Sequence, residues 1–416
     1  MIFERTTSSP GARFISTPYE PEVNTHSGFN GVVNQSSFIR TRSGVNTPAI
    51  KGQSKQDDNV VLIAVMGATG SGKTTFVNLV SGSNLRVGKS LQSCTTKIQL
   101  SQTFDIDGRK VLLIDTPGFD DTNHSDADIL NMIATFLATM YEDGRKLAGV
   151  IYLHRISDIR MGGVSTRSFK MFRWLCGPEA LRNVVLLTNV WDGVSLEVGE
   201  ARENELKSED KFWKPVLDKG AQVFRHDNTV GSAQAIVRYL VDKYPLPLRI
   251  QTELVDEHKH LTDTAAGAEL NRELMQQIEK HRDELKTLQE EMREAINARD
   301  EETKKELEME RNQLQAEMTS LQAHSQKLAT EYNEQKERFR HKVEEYQRQA
   351  EEEKRRQEVA IDDLKQQLSR NESNSEAEQG RLQKLLVELQ EQYDAVQKSG
   401  VFTSVGRALD NFFARF

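Results

Sequence analysis

Apolar positions in the middle of the chain gather into short runs separated by stretches of helical period. VVLIAVM (60–66), KVLLIDTP (110–117), GVIYLH (149–154), NVVLLTNV (183–190) and AQVFRH (221–226) are apolar at their centres and rich in β-branched residues. Runs of this kind predict strands buried on both faces. Helical periods fall between them at 126–141, 165–176, 199–210 and 231–243. The alternation predicts an α/β domain over 58–250, a mostly parallel sheet with helices on both faces. Ligands of such sheets bind beyond the carboxyl ends of the strands.

After about residue 251 the pattern changes. Glu, Lys, Gln and Arg dominate, and Leu274, Ile278, His281, Leu285, Leu288, Met292 and Ala295 step by four and three. Leu307, Leu314, Leu321 and Leu328 recur every seven residues, followed by Tyr332, Phe339, Val343 and Tyr346. The repeat predicts a long α-helical coiled coil over 251–398, roughly 200 Å long if unbroken. A single solvated helix is the other reading, because His281 and Ala295 weaken the seam. The segment 369–380, SRNESNSEAEQG, lacks seam residues and predicts a break or hinge. At 399–416, Val401, Phe402, Val405, Ala408, Leu409, Phe412, Phe413 and Phe416 share one face of an amphipathic helix. That face suits peripheral docking on a membrane or a protein, or folding back onto the rest of the chain. Residues 1–57, rich in Ser, Thr, Asn, Gly and Pro without an apolar period, predict a disordered arm.

Composition narrows the function. A net charge of −8 argues against a nucleic-acid binder. Two cysteines, Cys94 and Cys176, lie too far apart in sequence for metal-ligand spacing. The first residues lack the apolar core of a signal peptide, and no segment approaches the length of a membrane span. A cytoplasmic protein, with a peripheral membrane association through its last helix, is the expectation.

The chemistry begins where the first strand ends. Gly67, Ala68, Thr69, Gly70, Ser71, Gly72, Lys73 and Thr74 form G-x-x-x-x-G-K-[ST] between a strand and a helix. Such a loop curls its N–H groups around a polyphosphate, the lysine reaches the β- and γ-phosphates, and the threonine hydroxyl holds Mg2+. Thr75 follows at the start of the helix. Asp115-Thr116-Pro117-Gly118 ends the second strand, where Asp115 suits the Mg2+ shell and Gly118 offers its N–H to a γ-phosphate. Between them, LQSCTTK (91–97) carries Thr95 and Thr96, and Thr95 is the favoured switch hydroxyl for Mg2+. After NVVLLT come Asn189, Val190, Trp191 and Asp192. A carboxylate here accepts from the N1–H and exocyclic amine of guanine, which adenine lacks, so Asp192 favours GTP over ATP. Asn189 can brace neighbouring loops, and the loop Arg225–Asn228 is a weaker candidate for base contact.

GATGSGKTTFVNLVSGS, LQSCT, LIDTPGFDDT, GVIYLHRISDIRMGG and LLTNVWD together resemble GTPases of the septin and immunity-associated (GIMAP-like) group, and fungal G-domain proteins in particular. That group lies within the translation-factor-like class, and the resemblance covers residues 60–250 only. It implies a Ras-like P-loop domain, GTP/GDP and Mg2+ as cofactors, slow hydrolysis and dimerisation across the nucleotide face. Val190 departs from the pattern, standing where a lysine usually lies along the base.

Catalysis is the least determined part. The position after D-x-x-G, where many GTPases carry a water-orienting glutamine, is Phe119. Asp120, Asp121 and His124 follow it, and His154, Arg155 or Arg160 is a candidate for a charge-stabilising finger. These readings converge on a slow GTPase switch or scaffold that forms homo-oligomers through the G domain and coiled coil. The alternatives are a structural coiled-coil protein with constitutively bound nucleotide, and a P-loop ATPase.

Overall fold

In the computed structural model, the described residues are 60–87, 97–119, 124–158, 163–298, 300–370 and 376–412. The N-terminal arm, Thr95 and Thr96, Asp120 and Asp121, Arg160 and the last four residues lie outside them. Ser54–Phe416 forms one compact unit.

The five apolar runs become β1 (Val60–Gly67), β4 (Arg109–Asp115), β5 (Gly149–Arg155), β6 (Val184–Asn189) and β7 (Gln222–Arg225). Two short strands precede β4: β2 (Gln99–Leu100) and β3 (Phe104–Ile106). The order is β2–β4–β1–β5–β6–β7, with β3 also on β4. β4, β1, β5, β6 and β7 run parallel, whereas β2 and β3 pair antiparallel with β4. This is the Ras-like P-loop architecture.

Helices cover both faces. α1 (Lys73–Ser81) and α6 (Val230–Val241) cover Val61, Ile63 and Val65 of β1. α2 (Asp126–Glu142) and α3 (Gly163–Ala180) cover Leu62, Ala64 and Met66, the alternate residues of the same strand. Period-two alternation thus feeds two cores from one strand. Ser125 caps α2: its hydroxyl accepts from Asp128 N, while the Asp128 carboxylate accepts from Ser125 N. α4 (Leu196–Ser208), α5 (Lys214–Leu217) and α7 (Arg249–Gln251) complete this part.

A long helical region follows: α8 (Ala265–Ala298), α9 (Glu301–Thr330), α10 (Tyr332–Arg370) and α11 (Glu376–Phe412). The chain reverses between α8 and α9. Asn271 meets Ser325 at 2.7 Å, and His281 lies 3.8 Å from Glu317, so the two helices pack antiparallel. α10 and α11 pair in the same sense, with Tyr393 bonded to Glu358. Leu274, Ile278, Leu288 and Ala295 are buried, and Leu307, Leu314 and Leu321 partly so.

These helices return to the sheet domain. Leu270, Leu274, Leu328, Tyr332, Phe339 and Val343 join the core beneath α2 and α3. So do Val405, Ala408 and Leu409 near the end of α11, with Leu100 of β2 packed alongside. The described part of the amphipathic face is therefore turned inward. Among the described residues no helix is long and apolar enough to cross a membrane.

Candidate nucleotide site

The parallel strands end on one edge of the sheet, and the described site residues expected from sequence meet there. β1 delivers Gly67 and the loop through Gly72 to the first turn of α1. Gly67 has φ 145°, and a Cβ on it would lie 2.5 Å from Leu153 O in β5. Only glycine lets the chain leave the sheet so closely. Lys73 is buried, and its Nζ donates to Gly67 O and Ala68 O, each at 2.9 Å. Thr75 is exposed in the same first turn.

β4 brings Asp115 against α1. Its Oδ2 accepts from Thr74 Oγ1 at 2.6 Å, and its buried Oδ1 has no hydrogen-bond partner. Burial pushes the carboxyl pKa up to about 6, against the opposing pull of the Thr74 bond and the Lys73 charge. A buried carboxylate oxygen without a partner, beside a threonine hydroxyl, fits a divalent cation. Among the described residues no cluster of three His, Cys, Asp or Glu occurs. One hydroxyl and one carboxylate suit Mg2+, which takes one or two protein oxygens and completes its shell with phosphate and water. Thr74 and Asp115 are the residues to hold it, and Thr95 lies outside the described residues.

Thr116 fastens this strand end, donating from Oγ1 to Val65 O at 2.9 Å. Gly118 then runs against the phosphate loop. Thr69 Oγ1 donates to Gly118 O at 3.3 Å, and a Cβ on Gly118 would lie 2.4 Å from Thr69 N. Phe119 is buried in the core beneath, so it cannot orient a water molecule.

β6 ends in Asn189, whose Nδ2 donates to Ser71 O at 2.7 Å and ties this strand to the phosphate loop. Val190 follows at φ 56°, an uncommon conformation for a β-branched residue. It turns the chain so that Asp192 stands exposed in the single turn Trp191–Gly193.

Other expected contributors have structural occupations. His154 is buried edge-on to Trp213 at 5.8 Å, and desolvation pushes its pKa down to about 4. A neutral, enclosed imidazole cannot serve as a cationic finger. Arg155 lies 3.6 Å from Asp158. Arg225 stacks 4.3 Å over Trp191 and bonds Glu203 at 2.8 and 3.1 Å and Glu200 at 3.2 Å. His226 Nδ1 pairs with Ser232 Oγ at 2.7 Å. These two side chains of the 225–228 loop brace the Asp192 turn and α6. The bracing role of Arg225 and Glu203 carried no sequence signal, because it joins β7 to the middle of α4.

Residues 62–161 match the family model described as 50S ribosome-binding GTPase. GTP-binding protein A of Dictyostelium discoideum is 29% identical over 125 residues, 30% of this chain and 27% of that protein. GTPase Der of Chlorobium phaeobacteroides (strain BS1) is 23% identical over 167 residues, 39% of this chain and 36% of that protein. The matched segments therefore span only about a quarter to a third of these relatives. The crystal structure of Toc33 from Arabidopsis thaliana, a dimerisation-deficient mutant, is 18% identical, covering 45% of this chain and 84% of that one with a TM-score of 0.36. With the phosphate loop and its strand-end partners in place, the sheet domain of this chain is a P-loop GTPase domain.

Proposed function

We propose that the chain is a Mg2+-dependent GTP-binding switch with slow hydrolysis, its G domain dimerising and coupled to a coiled coil formed by the helices after about residue 250. The carrying observation is the Lys73–Thr74–Asp115 arrangement, with one Asp115 oxygen left without a partner. Bound Mg2+ would neutralise charge on the β- and γ-phosphate oxygens. Lys73 supplies a cation that exchanges two loop carbonyls for phosphate oxygens. Gly118 offers its N–H at the place where a γ-phosphate is sensed, and Asn189 holds the phosphate loop against β6. Asp192 accepts from the guanine edge.

Slow turnover follows from Phe119, which leaves the water-orienting position without a polar group. The septin and immunity-associated GTPases remain our reading within the class, supported by LQSCT, DTPGFDD and LLTNVWD. A cytoplasmic protein is the corresponding location. Membrane or protein docking through 399–416 would require Val405, Ala408 and Leu409 to leave the core.

The nucleotide released on denaturing the purified chain, together with its turnover with Mg·GTP, tests the proposal. Guanine nucleotide with turnover below about one per minute is expected, the range of unassisted GTPases. Adenine nucleotide, or no binding in the presence of Mg2+, would overturn it.

A further inference from the structure

One face of α2 is polar at positions where a permanent core would be apolar. Asp128, Asn131, Thr135, Ala138 and Glu142 follow at spacings of three and four, so they share that face. Its two ends are pinned to the helical region by ion pairs. Lys327 Nζ lies 3.2 Å from Asp128 Oδ1, and Lys336 Nζ lies 2.6 Å from Glu142 Oε1. Between these pins Asn131 and Thr135 are fully buried. Neither amide atom of Asn131 nor the Thr135 hydroxyl has a hydrogen-bond partner. Tyr332 at the start of α10 also buries a hydroxyl without a partner, and burial together with the Glu142 charge pushes its pKa up.

Polar atoms buried without partners destabilise a contact, and native cores rarely retain them together. They are explained if this contact is broken during the protein's cycle, when water or another group satisfies them. The placement of the contact supplies the cause. Gly118 and Phe119 lead into α2 through residues 120–125, and Asp128 belongs to the capping box that starts the helix. Lys327 therefore holds the segment that follows the γ-phosphate-sensing glycine. The end of α11 holds the other flank, where Leu100 of β2 pairs with Ile114, the residue before Asp115.

We infer that the seat of α9 and α10 on α2 is an autoinhibitory latch, opened when Gly118 engages a γ-phosphate and draws the start of α2 away from Lys327. The inference rests on the GTP reading above and adds the element through which the helical region responds.

Zero-length coupling tests it, because a water-soluble carbodiimide joins a lysine amine to a carboxylate only where the two touch. The full chain is treated without nucleotide, with Mg·GDP and with Mg2+ and a non-hydrolysable GTP analogue. The Lys327–Asp128 and Lys336–Glu142 linked peptides are then quantified by mass spectrometry, and retained nucleotide is measured in the same samples. Equal yields without nucleotide and with GDP are expected, with a loss of about fivefold or more in the analogue. Binding with unchanged yields overturns the latch. Absence of binding overturns the GTP reading instead, and the coupling with it.

Two variants separate the parts. Asn131→Leu with Thr135→Val fills the face with apolar groups, and this chain should bind the analogue while keeping its Lys336–Glu142 yield. A wild-type loss of yield in that chain would overturn the role given to Asn131 and Thr135. Lys327→Glu, at a half-exposed side chain, sets like charge against Asp128 and should lower the Lys336–Glu142 yield without any nucleotide. An unchanged yield there contradicts the latch.

Discussion

Asp115 places a carboxylate with one bonded and one unbonded oxygen in a fully enclosed position. Its raised pKa, about 6 against an ordinary 3.8, has a definite sign. Below about pH 4 the carboxyl is neutral in folded and unfolded chains alike. Between about 4 and 6 the folded chain keeps a proton that the unfolded chain has released, so this group's contribution, on the order of 3 kcal/mol, is lost as pH rises through 6. Mg2+ needs the ionised form. Affinity for a Mg2+-bound GTP analogue should therefore fall about tenfold per unit below pH 6, as titration calorimetry would show. An unchanged affinity down to pH 5 would remove Asp115 from the cation site. Lys73→Ala should cost about a hundredfold or more in GTP affinity, since charged hydrogen bonds to phosphate are lost. The folded chain should survive it, because Lys73 Nζ bonds two loop carbonyls, Gly67 O and Ala68 O, at the end of the strand before it. Wild-type affinity in that variant would contradict the assignment of the phosphate loop.

Elements separate what sequence pattern reveals from what it leaves open. The five longer strands and the phosphate loop are legible because their determinants are local: apolar runs, three of them ending in Gly67, Asp115 and Asn189. β2 and β3, of two and three residues, carry no pattern of their own and exist by pairing with β4. The heptads of the helical region are legible as helices, but the partner of each seam is not. Leu274 and Leu328 are buried in the core shared with the sheet domain and Leu321 packs against it, whereas Leu307 and Leu314 lie half-buried farther along α9. Both sets repeat with the same period, so periodicity alone cannot assign them. Phe339 shows the energetic consequence. It is fully buried, with its ring 6.5 Å from Phe136 of α2. Phe339→Ala should cost about 3–5 kcal/mol of stability in denaturant unfolding. Leu385→Ala, at a position 49% exposed on α11, should stay within about 0.5 kcal/mol. Similar losses for the two would mean that the helical region does not dock on α2 as described.

At the scale of the whole molecule, the sheet domain and the helices after it share one core, from Leu62 of β1 to Leu409 of α11. Sequence composition separates these regions sharply, whereas packing joins them. The reason is that α2 is buried at every position from Ile129 to Met140, so it packs against the sheet and against the later helices together. The positions of Asp115 and Asp192 were legible, because each lies at or just after the end of a recognisable strand. The neutral state of His154 was not, since Trp213 lies far along the chain and reaches it only through the fold. If nucleotide state governs association, light scattering should give a larger mass with a GTP analogue than with GDP. Equal masses would confine the switch to a single chain. The central claim, a guanine-specific Mg2+ site, is tested most directly by displacing a fluorescent GDP analogue from the full chain with GTP and with ATP in the presence of Mg2+. GTP should displace it at micromolar concentration or below and ATP about a hundredfold more weakly, the difference expected from hydrogen bonds to a carboxylate. Equal displacement by the two nucleotides would contradict it.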